Sequence, residues 1–232
     1  MTRGDERLAG WIALLTAALL ATSLYLHGSG PPSAEPDAVL AWYAGNSVMV
    51  RLGSFAWLMA MLGLVAFAVL LRDALLSLTA DRWWAGVLFV QGAAVFATVA
   101  VIAAATAWTT ALLARGPDPQ ADTVAAIWTL HQTVLRFATW GLVVPLLTVG
   151  ITLTRHSVLG QVVAWLGGMI AVLLFVPVIW TVGLAGFVLW LVLTSMALLR
   201  PRLPRRRASR RRRKELEAQR SGADLNSEGL GE

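Results

Sequence analysis

The run from Val48 to Leu71, VMVRLGSFAWLMAMLGLVAFAVLL, holds a single charge, Arg51, in 24 residues and closes on Arg72 and Asp73. As a helix rising ~1.5 Å per residue it is about 36 Å long, enough to cross the ~30 Å hydrocarbon core of a bilayer with some tilt. Lipid offers peptide groups no water to bond, and a helix satisfies its own, so the stretch is read as a membrane span. Of the 232 residues, 57% are hydrophobic and 14% charged, whereas about a quarter of a soluble domain is charged. A water-soluble globule is excluded. The chain has no cysteine, which removes disulfides, thiolate zinc sites, iron–sulfur clusters and covalently attached haem.

The apolar runs predict an all-α integral membrane bundle of six transmembrane helices, at about 10–26, 48–71, 83–108, 134–153, 159–178 and 182–199, in a domain covering 1–199. The first run resembles a secretory signal, but Asp5 and Glu6 in the leader and the lack of a small-x-small site favour a retained span. Residues 39–45 and the segment around Trp128 are half apolar and follow Pro-rich connections, which suits loops and short interfacial helices. RDALLSLTADR, after the central span, has a short amphipathic pattern between Arg72 and Arg82. In the third span Ala93, Ala97, Ala100 and Ala104 share one helix face, over which another helix can approach closely. Gln91 is expected to hydrogen-bond between helices. The 41 uncharged residues from Leu159 to Leu199 suit two crossings, with the break near Pro177.

The net charge of +6 resides in the tail, where eleven Lys/Arg face five acids from Arg200 onward, while 1–199 balances at eight against eight. With six spans and both termini cytoplasmic, sixteen Lys/Arg fall on the inner side and only Arg115 on the outer, as the positive-inside rule requires. The plasma membrane is the expected location. The tail, 200–232, is expected to be largely disordered, with Arg205, Arg206, Arg207, Arg210, Arg211, Arg212 and Arg213 against anionic lipid headgroups. It lacks the aromatic interleaving or folded module that nucleic-acid binding would use.

Two charges inside spans are the most informative, because each is costly unless it snorkels or does something. Arg51 and Arg136 lie in the first turns of their spans, and structural pairing is weighed against ligand contact. In the functional version Arg51, Arg136, His131, Asp37 and Asp122 converge into a ligand-binding cluster near the outer leaflet. His27 is read as a loop residue and His156 as lying on the opposite side, so no metal site and no cofactor is expected. No phosphate loop, nucleophile elbow or paired carboxylates are visible, so the chain is expected not to be an enzyme. Asp37, Val39, Ala41 and Arg51 match Asp122, Val124, Ala126 and Arg136 at an offset of 85 residues, which suggests a duplicated hairpin.

Arg51-Leu52-Gly53 opening a span, Leu71-Arg72 closing it, Gly141 and Pro145 in GLVVP, Arg155, and Leu159-Gly160 form a set. In these positions the chain resembles the uncharacterised multipass integral membrane proteins of actinobacteria, except that it lacks the proline usual before the final Leu-Gly. The resemblance implies a shared fold and no known reaction. The function expected is a multipass membrane protein of unspecified non-catalytic role, with membrane lipids and a homo-oligomer or membrane partner around it. The alternative is a carrier or binding protein for a small or lipidic molecule that uses the outer polar cluster.

Overall fold

A computed structural model describes residues 3–78, 83–153, 158–176 and 180–199. Among them are six helices and no strand: α1 (Arg3–His27), α2 (Pro36–Leu78), α3 (Trp83–Leu113), α4 (Ala121–Leu153), α5 (Val158–Phe175) and α6 (Trp180–Leu199). Five contain stretches long and apolar enough to cross a membrane, namely Gly4–His27, Pro36–Arg72, Trp84–Leu113, Ala121–Val149 and Thr181–Leu199, while α5 is apolar but shorter over Gln161–Phe175. In these stretches half or more of each apolar window stays unburied. The outward faces carry Trp11, Leu62, Val172 and, at 78% exposure, Trp165. Helices apolar on both faces are suited to lipid and not to water.

The helices run longer than the apolar runs predict. The half-apolar segments at 39–45 and around Trp128 are not separate interfacial helices, because they continue without a break into α2 and α4, and the segment after Arg72 continues α2 to Leu78. The polar residues at the joins bond to their own helix instead of ending it, with Asn46 Nδ2 donating to the Trp42 carbonyl at 2.9 Å and Thr129 Oγ1 to that of Ala125 at 2.9 Å. Pro36 and Ala121, the starts of α2 and α4, stand 85 residues apart, the offset of the sequence match. α5 ends at Phe175, ahead of Pro177, as the restriction on residues before proline leads one to expect.

Each helix packs on the next and α6 returns to α1, closing a ring in which α2 also reaches α4 but α1 and α4 do not meet. Between α3 and α4 the approach is close. A Cβ on Gly141 would lie 2.9 Å from the Phe96 backbone nitrogen, and one on Gly92 would lie 2.5 Å from Pro145 Cδ. Pro145 sits inside α4 and leaves the Gly141 carbonyl without its helical donor. Opposite it a bare glycine is what fits. Ala93, Ala97, Ala100 and Ala104 are all buried, as their shared face predicts. Gln91 is exposed and turned away from that face. Phe67, Phe89, Phe96, Phe187 and Trp190 fill the middle of the core, and Trp190 Nε1 donates to the Val163 carbonyl at 3.0 Å.

Candidate ligand cavity between α1 and α4

The ring is not filled to its end. Where α1 stops at His27, a half-open cleft of about 180 Å³, about 800 Å³ with its open mouth, lies among α1, α2, α3 and α4, the Gly28–Pro31 turn and Thr181 of α6. That range suits a ligand pocket. Its walls are mostly aromatic and aliphatic, with Trp42, Tyr43, Trp57 and Trp128 the largest, and His27, His131 and Gln132 supply polar atoms.

α1 ends at His27 because Gly28 takes a left-handed conformation, φ 58°, and its N–H caps the helix on the Tyr25 carbonyl at 3.1 Å. His27 is thereby the last helical residue and lies on the face of Ser23. Its ring packs against Gly53 of α2, where a Cβ would fall 2.7 Å from Nδ1. Buried Ser23 Oγ donates to the Gly53 carbonyl at 2.8 Å and ties α1 to α2 at this level. His27 Nδ1 lies 2.9 Å from the Ser23 carbonyl. A carbonyl can only accept, so Nδ1 carries the hydrogen and Nε2 is the acceptor in the neutral ring, with Ser54 Oγ 3.5 Å away.

His131 enters from α4 with the same assignment. Its Nδ1 lies 2.7 Å from the Ala103 carbonyl of α3, a buried contact, and so donates. Thr106 Oγ1, 3.5 Å from that nitrogen, donates to the same carbonyl at 2.7 Å. Nε2 of His131 therefore has a free lone pair in the neutral ring. The two imidazoles, from helices that do not otherwise meet, stand with centroids 6.5 Å apart and planes within 11° of parallel. Trp57, in the same wall, is 5% exposed and its Nε1 has no hydrogen-bond partner among the described residues.

Of the five residues expected to form one cluster, His131 alone lines this cleft. Arg51 Nε donates to the Ser47 carbonyl of its own helix at 3.3 Å, and the side chain lies in a shallow outer depression with Val48, Leu52, Phe55 and Trp108. Arg136 is exposed, in a different depression beside Phe137, Trp140 and Phe175. Asp37 and Asp122 are exposed in the first turns of α2 and α4, where a carboxylate complements the helix dipole. The structure thus distributes the five over separate surfaces, since residues at one height on α2 and α4 can still sit on different helix faces. The arginines of the tail, 205–213, and His156 lie outside the described residues.

His27 is the residue that sequence reasoning missed. The signal was present: Gly28 at the position after a helix end, with His27 four residues beyond Ser23 on a face that is otherwise apolar. No family model, curated protein or solved structure matches the chain.

Proposed function

We propose that the chain is a non-catalytic plasma-membrane protein of six spans with both termini cytoplasmic, and that it binds a small, largely apolar molecule in the cleft between α1 and α4. The observation that carries this reading is the cleft itself, an aromatic-walled space that two fixed imidazoles enter from opposite helices. The binding role was the runner-up in the sequence, and its ligand groups move from the outer arginines to His27 and His131. Six spans are favoured by α5 and α6 packing against each other on either side of Pro177. The excess of Lys/Arg on the Arg72 side favours the orientation. Gly53, Gly141 and Pro145 each sit at a close helix contact, which holds the bundle around the cleft. The basic tail supplies contact with anionic headgroups.

The absence of cysteine makes the topology directly testable. Single cysteines at Ser29, Asp118 and Ser227 are expected to react with an impermeant maleimide from outside, outside and inside respectively. Native mass spectrometry of the detergent-purified protein is expected to show a stoichiometric small molecule. An empty protein, with no molecule retained or bound on addition, counts against the binding reading.

A further inference from the structure

The cleft's chemistry narrows its occupant, on the reading that the cleft is a binding site. Both histidines spend Nδ1–H on a main-chain carbonyl, the outer-shell arrangement that fixes the tautomer and orients a metal-ligating imidazole. A nitrogen–metal bond is about 2.0–2.1 Å, and a ring centre lies about 1.1 Å behind its nitrogen, so two imidazoles bound on opposite sides of one metal have centroids about 6.3 Å apart. The observed separation is 6.5 Å with the planes 11° from parallel, which matches that span when both Nε2 atoms turn to the space between the rings, the His27 Nε2 giving up its 3.5 Å contact with Ser54 Oγ.

A bare ion does not fit the rest of the site. No group of three or more His, Asp or Glu able to hold a metal occurs among the described residues, and the chain has no cysteine. Zinc would want four protein ligands or solvent in the remaining positions. A metal that arrives with its own equatorial nitrogens asks the protein for two axial ligands and otherwise for an apolar slot with flat walls. Trp42, Trp57 and Trp128 supply such walls, Ala103 and Ala104 are the small residues on the α3 side, and Gly53 gives up its side chain to the ring of His27. The buried, unpartnered Nε1 of Trp57 adds one donor in the same wall.

We propose that His27 and His131 are the two axial ligands of a non-covalently bound haem seated between α1 and α4. This departs from the expectation of no cofactor, which rested on counting His131 as a lone membrane histidine.

The test uses the full chain, expressed with excess haem precursor and purified in detergent, and reads the visible spectrum before and after dithionite together with haem and iron content. The expected result is a Soret band, sharp α and β bands of low-spin iron on reduction, and close to one haem per chain. His27→Ala and His131→Ala are each expected to lose the low-spin spectrum, while Arg136→Gln keeps it. Should the alanine variants fail to fold, His131→Met in place of alanine is expected to shift the bands instead of removing them. Titration of the purified wild type with hemin gives a readout that needs no variant, and absence of saturable binding overturns the proposal. An iron-free organic molecule found in stoichiometric amount overturns the haem and leaves the binding reading standing. Saturable binding of Cu(I) alone, with none of hemin, overturns it in favour of a two-coordinate ion. A wild type that retains no molecule and binds neither hemin nor copper removes both readings.

Discussion

The α3–α4 contact around Gly92 and the α1–α4 gap at His27 are built from the same small residues with opposite results. In the first, Gly92, Gly141 and the alanines of α3 bring backbones together until a single added carbon collides with Pro145 or Phe96. In the second, Ala103 and Ala104 belong to the same helix and are buried as well, yet they border a space, because Trp42, Trp57 and Trp128 hold the walls apart. Small side chains permit close packing only where the facing helix can move in to use the room. Next to bulky neighbours that stay put, they leave volume for something else.

Substitutions can break or sharpen this contrast. The largest effect is expected at the closed part of the core: Trp190→Ala removes a buried indole and its bond to the Val163 carbonyl, at a cost of about 3–5 kcal/mol by analogy with other buried tryptophans. Thermal unfolding in detergent followed by circular dichroism reads it. Next come Gly141→Val and Ala97→Leu, which overpack the same region and are expected to cost about 1–3 kcal/mol each. Ala104→Leu is the decisive partner to Ala97→Leu, one heptad along the same face. It is expected to cost under about 1 kcal/mol, since the added carbons enter open space, while ligand retention in native mass spectrometry falls away. Equal destabilisation by the two leucines would mean that the ends of α3 are packed alike. Ser23→Ala removes a buried bond from α1 to α2 and is expected to cost roughly 0.5–1.5 kcal/mol. The smallest effect is expected at Arg136→Gln, within about 0.5 kcal/mol, because the side chain is exposed.

The long apolar helices were legible because bilayer thickness sets a length that composition alone can meet. The ends of the helices were not. Residues 39–45 read as a loop and short interfacial helix, but Val39, Tyr43 and Val50 of α2 pack with Ala107 and Ala111 of α3, Ala114 just beyond it and Val124 of α4. That burial repays the weak helix formers Gly45, Asn46 and Ser47, and nothing within one segment announces it. The cleft was half legible. His131 stood out as a polar residue in an apolar run, whereas His27, next to Gly-Ser-Gly-Pro-Pro, looked like loop until Gly28 was seen to cap the helix. Arg51 and Arg136 stand out through the cost of charge in lipid, and they lie on separate outer faces, Arg51 bonded to the Ser47 carbonyl of its own helix and Arg136 exposed.

The unequal reach of the helices has its own consequence. Pro36 begins α2 seventeen residues before Gly53, the neighbour of His27, and α3 and α4 also run on past Ala103 and His131. At ~1.5 Å per residue α2 overtops the histidines by about 25 Å. The three tall helices form a parapet on one flank, with Arg115 Nε fastened to the Ala44 carbonyl at 3.2 Å near its crest. On the other side the lining is completed by the end of α1, the Gly28–Pro31 turn and Thr181 of α6, and on the proposed binding reading that lower side is where a molecule would enter and leave.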